Sequence, residues 1–227
     1  MKSSVITFPG SNCDRDMDVA LKKFGFNNKM VWHDDNELPK SDLVVLPGGF
    51  SYGDYLRCGS MASKSKIMRS VIDFANSGGL VMGICNGFQI LVETGLVPGV
   101  LLRNKYLEFI CKNVFIKVDN VDNPYFKNLD KKVLEFHIAH NEGNYFCTND
   151  QLKEIEDNEQ IAIYYSNKDG ETEEKYNPNG SLKNIAGIFN KKKNVLGMMP
   201  HPERMIDKSL SGEDGSLFFK NLINNIK

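Results

Sequence analysis

Short runs of apolar residues recur along the chain and predict buried β-strands. The runs are rich in β-branched residues, and polar or glycine-containing segments separate them, as is typical of strands in a globular protein. They cover residues 5–8, 43–46, 80–84, 114–118, 161–165, 185–189 and 195–199. Several runs lack the alternation of a half-exposed strand. We therefore expect them to lie in a parallel sheet that is covered on both faces.

Amphipathic segments between the early runs predict helices. Apolar residues recur at steps of three to four in residues 14–24 and 60–77, and the second segment ends at Gly78 and Gly79, which suits a helix C-terminus. Residues 217–226 predict a closing helix. The alternation of strands and helices favours the α/β class, with an open, mostly parallel twisted sheet flanked by helices.

The second half of the sequence is richer in strands and predicts an additional antiparallel hairpin region. Residues 191–194 separate two apolar runs, and we interpret them as a solvated hairpin tip rather than a phosphate or nucleic-acid site. Residues 166–181 are rich in turn formers and indicate a surface loop. Because no repeat or low-complexity linker divides the sequence, we expect a single domain over residues 1–227.

The composition and the net charge disfavour several classes of protein function. Apolar residues make up 41% and charged residues 25% of the sequence, the balance of a soluble globule. A net charge of −1 disfavours a nucleic-acid binder or a polybasic membrane protein, and no apolar run approaches the roughly 20 residues that span a bilayer. Five cysteines without a C-x-x-C pair disfavour a disulfide scaffold or a structural zinc site, so we expect a reducing cytoplasm.

The most informative segment, residues 80–91, runs from an apolar strand through G-x-C-x-G into a helical pattern. This order is typical of a nucleophile elbow, a sharp turn that presents one side chain above the edge of a sheet. The turn needs small flanking residues, here Gly83 and Gly87, and it presents Cys85 as the nucleophile. The alternative is that Cys85 is a small buried apolar residue.

A cysteine nucleophile needs a base, and His201 is the candidate. It lies in the sequence M-P-H-P-E, directly after the last predicted strand. Prolines on both sides favour an extended chain, in which His201 and Glu203 point to the same side. Glu203 would then orient the imidazole, which is the task of the third member of a catalytic triad. The alternative is a solvated turn.

A third segment, P-G-G at residues 47–49, follows the predicted strand 43–46. Glycines at the carboxyl end of a parallel strand expose backbone N–H groups to a ligand. A backbone N–H of this turn, together with that of Asn86 after the nucleophile, would hold the oxyanion of a tetrahedral intermediate. The alternative is an ordinary connection between a strand and a helix.

In this order, the three segments resemble the class I, triad-type glutamine amidotransferases, which have a flavodoxin-like fold. The resemblance covers nearly the whole sequence and is most specific to the glutaminase subunits of phosphoribosylformylglycinamidine synthase in its small-subunit form. It rests on FPGSNCD at 8–14, PGGFSYGDYLR at 47–57, CNGFQ at 85–89, LLRN at 101–104, AHNEG at 139–143, NPNGS at 177–181 and MPHPER at 199–204. Asn141 departs from the pattern of many relatives, which have glycine at that position.

The resemblance implies a role for each matching residue. The catalytic residues would be Cys85, His201 and Glu203, which hydrolyse glutamine to glutamate and ammonia through a cysteine thioester. We expect His140 and Glu142, in the family's H-x-E-G loop, to lie near the site entrance or a partner surface and not to be catalytic.

The same resemblance implies that the backbone N–H groups of Gly49 and Asn86 form the oxyanion hole. Gly48 and Gln89 would contact the substrate, and no residue would bind a metal. No role is predicted for Cys13, Arg57, Cys58 and the segment 52–55.

The family also implies partners. Neither a G-x-x-x-x-G-K-[ST] motif nor a helix-opening G-x-G-x-x-G motif occurs, so we expect no cofactor in this chain. ATP and Mg²⁺ would be used by a large synthetase subunit, which would join the ammonia to formylglycinamide ribonucleotide in de novo purine synthesis. A small third subunit would complete the complex.

Two other interpretations stay open. One is a different cysteine-elbow hydrolase or a deglycase-like protein on a related fold. Many of these place a histidine directly after the nucleophile, where this chain has Asn86. The other is a degenerate amidotransferase that serves only as an interaction subunit, against which the presence of Cys85, His201 and Glu203 argues.

Overall fold

The computed structural model describes residues 1–209 and 211–226. Within them the chain forms β-strands and α-helices in alternation at first and then mainly strands. The strands are β1 (Lys2–Thr7), β2 (Asn27–Trp32), β3 (Leu43–Leu46), β4 (Leu80–Ile84), β5 (Val100–Leu102), β6 (Ile110–Val118), β7 (Val133–His140), β8 (Asn144–Phe146), β9 (Ile161–Ser166), β10 (Ile185–Phe189) and β11 (Val195–Met198). The helices are α1 (Asp14–Lys23), α2 (Lys66–Asn76), α3 (Asn86–Glu93), α4 (Asn149–Asp157) and α5 (Asp214–Ile226).

One nine-stranded sheet organises the protein, with the strand order β2-β1-β3-β4-β11-β10-β9-β6-β7. The first five strands in this order pair in parallel, and the pairs from β11 to β7 are antiparallel. A separate two-stranded antiparallel sheet joins β5 to β8. The predicted fold class, an open and mostly parallel sheet with an antiparallel region, is confirmed.

The directions of the strands bring several loops to one edge of the sheet. Because β3, β4 and β11 are parallel neighbours, the segments that follow them meet beyond their carboxyl ends. Two successive antiparallel pairings return β9, and then β7, to the same direction as β11. The carboxyl ends of β7 and β9 therefore face the same edge.

Close packing of α3 on the central strands fixes the turn between β4 and α3. A Cβ atom on Gly87 would lie 1.9 Å from the carbonyl oxygen of Leu46 in β3, so only glycine permits this approach. The buried residues Phe88, Ile90 and Leu91 anchor the helix in the core. The strand β4 and the helix α3 thereby form a rigid support for the residue between them.

Most of the predicted elements are confirmed. The runs 43–46, 80–84 and 185–189 coincide with β3, β4 and β10. The predicted hairpin tip, residues 191–194, lies between β10 and β11, and the Asn190 N–H donates to Val195 O at 3.0 Å across it. The second predicted helix begins later than expected, at Lys66, because Ser65 is extended and separates α2 from a short 3₁₀ turn, Ala62–Lys64.

The sequence interpretation missed the strands β2, β5, β7 and β8 and the helix α4. The strand β7 alternates buried and half-exposed positions, so it lacks the continuous apolar run that identified the central strands. The helix α4 is mostly polar and is stabilised locally by a capping box in which Thr148 accepts from the Gln151 N–H at 3.3 Å. Among the residues with described positions, no helix has the length and apolar character needed to cross a membrane.

Candidate active site

Cys85 occupies a strained turn between β4 and α3. Its backbone angles are φ 50° and ψ −105°, in a region that residues other than glycine rarely adopt. Its N–H donates to Met198 O at 2.8 Å, which ties the turn to β11. The side chain is 5% exposed, and its Sγ atom lies 3.7 Å from Ala139 O at the end of β7. The geometry is that of a nucleophile elbow.

His201 and Glu203 form a buried pair directly after β11. The Nδ1 atom of His201 donates to Oε1 of Glu203 at 2.6 Å. The backbone of His201 is held by its N–H, which donates to His137 O at 2.8 Å. The Nε2 atom of His201 has no hydrogen-bond partner among the described residues. One imidazole nitrogen is therefore fixed, and the other is available.

The route by which His201 and Glu203 meet differs from the predicted one. The prolines were expected to keep the chain extended through Glu203, but Pro202 begins a short 3₁₀ turn, Pro202–Arg204. Proline suits the first position of such a turn, because its fixed φ is helical and it has no N–H to satisfy. The turn, together with the extended His201 before it, brings the carboxylate to the ring.

Electrostatics favour a protonated ring at His201. Burial of the ring opposes its charge, but the charges of Glu203 and Cys85 outweigh burial and raise the pKa of His201 well above its usual value. The base is thus strengthened by the same carboxylate that orients it. This suits a group that must take up a proton from a thiol and keep it until a leaving group needs it.

Gly49 and Asn86 each present a backbone N–H at this edge. Gly49 has φ +137°, and a Cβ atom there would lie 2.7 Å from the Asn12 N atom, so the loop after β3 requires glycine. Neither N–H donates to another described residue. An oxyanion hole requires unused backbone donors of this kind, and that these two form one stays a prediction.

The two predicted substrate contacts have different surroundings. Gly48 packs against the base, since a Cβ atom there would lie 2.6 Å from Cε1 of His201. Gln89 is 5% exposed, and its amide is engaged, because Nε2 donates to Glu142 O at 2.7 Å and Oε1 accepts from Asn86 Nδ2 at 2.9 Å. A contact between Gln89 and the substrate stays a prediction and would use the second hydrogen of Nε2 or the second lone pair of Oε1.

Cys13, for which no role was predicted, lies close to His201 and Glu203. Donor atoms of Cys13, His201 and Glu203 lie within 4.8 Å of one another, a spacing that a metal ion would accept. Part of this group is already paired, however, because Arg204 Nη2 donates to Cys13 Sγ at 3.1 Å and His201 Nδ1 donates to Glu203 Oε1. The pairing favours a hydrogen-bonded cluster over a cation site. The position of the motif 8–14 directly after β1, at the same sheet edge, was the available signal.

The antiparallel strands close the other side of the site. His140, at the end of β7, is 2% exposed and lies inside the protein, and its predicted place near the site entrance or a partner surface stays a prediction. Its Nδ1 donates to Asn104 Oδ1 at 3.1 Å, while its Nε2 has no partner among the described residues. Burial and the charge of His201 lower the pKa of His140 to about 3. This ring is neutral.

Tyr165, at the end of β9, was also missed. Burial raises the pKa of its hydroxyl, a hydrogen bond from Asn179 opposes the shift, and the charge of Cys85 adds to it. The hydroxyl accepts from Asn179 Nδ2 at 3.2 Å. The antiparallel strand β9 thus contributes a buried polar group to the surroundings of the elbow.

The remaining motif residues serve the loops around the site. Arg57 makes two hydrogen bonds of 2.6 Å to Glu93 at the end of α3. Tyr52 OH lies 2.8 Å from Nδ1 of His33, which fixes the segment after the P-G-G turn. Burial raises the pKa of Cys58, and the neighbouring acidic side chains, including Glu142, raise it further.

An elbow cysteine, a histidine oriented by a carboxylate and two unused backbone N–H groups at one sheet edge define the triad-type cysteine amidohydrolases. Comparison with protein families narrows this class. The family of CobB/CobQ-like glutamine amidotransferase domains matches residues 1–213, and this chain belongs to that family.

Curated relatives match over 95% or more of the chain. A protein named phosphoribosylformylglycinamidine synthase subunit PurQ, from Pelagibacter ubique, is 80% identical over 227 residues, with 100% of each chain covered. A protein of the same name from Synechocystis is 52% identical over 217 residues, covering 95% of this chain and 97% of the relative.

Solved structures agree with this family. The structure of PurLQS from Thermotoga maritima contains a chain with a TM-score of 0.87 and 41% identity, covering 100% of this chain and 99% of that one. A glutamine amidotransferase from the same organism has a TM-score of 0.64 at 16% identity and covers 100% and 98%, respectively. The second likeness supports the fold alone.

Proposed function

We propose that this chain is the glutaminase subunit of a phosphoribosylformylglycinamidine synthase and that residues 1–227 act as a single domain. It hydrolyses glutamine to glutamate and ammonia and supplies the ammonia to a synthetase. The observation that carries the proposal is the state of His201. Its Nδ1 is held by Glu203 at 2.6 Å, while its Nε2 has no partner in the described part of the chain, at the edge where the elbow presents Cys85.

Acylation begins with transfer of the thiol proton of Cys85 to His201. The sulfur attacks the side-chain amide carbon of glutamine and forms a tetrahedral intermediate. Its oxyanion accepts from the N–H groups of Gly49 and Asn86. The imidazolium of His201 then donates its proton to the departing nitrogen, so that ammonia leaves and a thioester remains. Glu203 keeps Nδ1 protonated and the ring in place throughout.

Deacylation uses the same groups in the reverse order. His201 takes a proton from a water molecule, and the resulting hydroxide attacks the thioester carbon. The same backbone N–H groups hold the second oxyanion, and the proton returns to the sulfur of Cys85 as glutamate forms. In this proposal, Gly48 and Gln89 contact the bound glutamine.

The proposal includes the partners that this chemistry needs. Free ammonia would be lost to water, so a large synthetase subunit receives it and uses ATP and Mg²⁺ to convert formylglycinamide ribonucleotide to formylglycinamidine ribonucleotide. A small third subunit completes the complex, which acts in the cytoplasm. The support comes from the 80% identical relative named as a subunit of this synthase and from the similar chain in the PurLQS structure.

Substitution of Cys85 by alanine tests the proposal in the reconstituted complex. Glutamine-dependent amidation is expected to vanish, whereas amidation with free ammonium as the nitrogen source is expected to continue. Loss of both activities would show instead that the substitution damages assembly. Parent protein that releases no ammonia from glutamine but consumes glyoxal would establish the deglycase-like alternative.

Covalent labelling separates the enzyme from a degenerate interaction subunit. A glutamine-like electrophile is expected to modify Cys85 and no other cysteine of the five, as mapped by mass spectrometry. Labelling at a different cysteine, or no labelling at all, would favour the non-catalytic alternative.

A further inference from the structure

We propose that the side-chain amide of Asn86, as distinct from its backbone N–H, is a positioning residue of the oxyanion hole. The amide joins the loop after β3, which presents the Gly49 N–H, to the first turn of α3, which presents the Asn86 N–H. It thereby sets the distance and angle between the two donors. The inference rests on the proposed glutaminase function and assigns a task that the catalytic residues do not perform.

Three hydrogen bonds in series carry the inference. Ser51 N–H donates to Asn86 Oδ1 at 3.2 Å, Asn86 Nδ2 donates to Gln89 Oε1 at 2.9 Å, and Gln89 Nε2 donates to Glu142 O at 2.7 Å. Both ends of this relay are backbone groups, a donor at Ser51 and an acceptor at Glu142. The orientation of each side-chain amide is therefore determined by its partners, and neither can be reversed without opposing two like groups.

The sheet itself does not fix the two oxyanion donors relative to each other. The pairing of β3 with β4 ends at Leu46 and Gly83, before either donor. Beyond this point, the Gly49 loop is held from one side by Phe50 N–H, which donates to Gly10 O at 3.0 Å. On the side of α3, the loop is held by the hydrogen bond from Ser51 N–H to Asn86 Oδ1. Among the described residues, this is the hydrogen bond that joins the loop to the elbow.

Burial makes the relay sensitive to substitution. Ser51, Asn86 and Gln89 are 2%, 1% and 5% exposed, respectively. A lost partner in such a place leaves a polar group unsatisfied, because bulk water does not reach it. The loop would then adjust to satisfy the Ser51 N–H, and Gly49, which has the conformational freedom of glycine, would move with it.

The test compares Asn86→Ala and Asn86→Leu with the parent in the reconstituted complex. Both variants keep the backbone N–H of residue 86, and leucine also excludes a substitute water molecule. We expect kcat for glutamine hydrolysis to fall about 10–100-fold, since displaced donors lose part of the effect of an oxyanion hole. The KM for glutamine is expected to stay within about threefold, because the ground-state amide needs the hole less.

Two controls separate positioning from damage to the fold. Ile90→Val changes a buried residue of the same helix that has no side-chain hydrogen bond, and its kcat is expected to stay within about twofold of the parent. Alkylation of Cys85 by iodoacetamide forms no oxyanion, so its rate in both Asn86 variants is expected to stay within about threefold of the parent.

Three results would overturn the inference. The first is an unchanged kcat in both Asn86 variants, the second is an equal loss of kcat and of the alkylation rate, and the third is a comparable loss in Ile90→Val. The proposed function is judged separately, by the parent and Cys85→Ala in the same assay. An active parent with fully active Asn86 variants refutes the positioning role alone, whereas an inactive parent refutes the function and the positioning role with it.

Discussion

His201 and His140 each follow or end a strand at the same edge of the nine-stranded sheet, and each ring is almost completely buried. In both residues Nδ1 donates to a side-chain oxygen, and Nε2 has no partner among the described residues. Their charge states nevertheless differ. The pKa of His201 is raised well above the usual value, whereas that of His140 is lowered to about 3.

The acceptor on Nδ1 contributes to this difference, together with the charge of Cys85 at His201 and the charge of His201 at His140. His201 donates to the carboxylate of Glu203 at 2.6 Å, and His140 donates to the amide oxygen of Asn104 at 3.1 Å. A carboxylate compensates the imidazolium charge, but an amide oxygen fixes only the tautomer. The parallel half of the sheet thus supplies a histidine whose protonated form is stabilised, and the antiparallel half supplies a neutral histidine.

The largest effect is expected from removing the base. His201→Ala is expected to lower the rate of glutamine hydrolysis by at least 10²–10⁴-fold, which is the usual contribution of general acid–base catalysis. Formation of glutamate by the reconstituted complex measures it. His140→Gln serves as the matched control, and it is expected to stay within about tenfold of the parent because a neutral ring bonded through Nδ1 exchanges no proton. Equal losses in the two variants would contradict the assignment of the base.

Glu203→Gln is expected to have the next largest effect, a fall of kcat by about 10–100-fold. This loss of kcat is smaller than that of His201→Ala, because the imidazole is still present. A thiol is also intrinsically a better nucleophile than a hydroxyl, so it depends less on an oriented base. Burial lowers the pKa of His201, and the charge of Glu203 opposes this effect. Without the carboxylate, the pKa of His201 is expected to fall toward or below its usual value. NMR titration of labelled histidine measures the shift, and an unchanged pKa would show that Glu203 is not its cause.

The parallel half of the site was predictable from the sequence because its signals are local. Buried parallel strands give continuous apolar runs, and a tight elbow requires glycines at fixed spacing around Cys85. The same holds for the pair His201 and Glu203, which lie two residues apart. Their contact was predicted, although the 3₁₀ turn that makes it was not.

The antiparallel half was not predictable in the same way, because its signals depend on tertiary pairing. The strand β7 has the alternating burial of a half-exposed strand, and only its place in the sheet brings His140 behind the elbow. Asn104 comes from a loop 36 positions away in sequence. The hydrogen bond from Ser51 to Asn86 joins two segments 35 positions apart, and no spacing rule connects them.

The pH dependence of folding stability also tests the charge state of His140, because its pKa differs between the folded and the unfolded chain. The pKa of His140 is near 6.5 in the unfolded chain and about 3 in the folded protein. The free energy of unfolding therefore falls as the pH is lowered from about 6.5 to about 3. In His140→Gln this contribution is absent. The stability difference between parent and variant is therefore expected to shrink by about 2 kcal/mol between pH 7.5 and pH 5.

Urea unfolding of both proteins at the two pH values measures this change. A difference that stays constant with pH would contradict a neutral His140. His201 acts in the opposite sense, since its raised pKa stabilises the fold at low pH and this contribution is lost as the pH rises through the folded value. The two histidines can therefore be distinguished by the sign of their pH dependence.

The smallest expected effect comes from giving His140 the acceptor that His201 has. Asn104→Asp keeps Oδ1 as the acceptor for the ring and for the Gly143 N–H at 3.1 Å, but it replaces Nδ2, which donates to Glu108 O and His140 O, by an oxygen. If the acceptor determines the charge, the pKa of His140 is expected to rise by about one unit, worth about 1.4 kcal/mol. NMR titration of labelled histidine reports the change, and Asn104→Ser, which brings no charge, is the control. A pKa that stays near 3 in the aspartate variant would show that burial and the charge of His201 govern this ring, and that a carboxylate acceptor does not by itself explain the opposite state of His201.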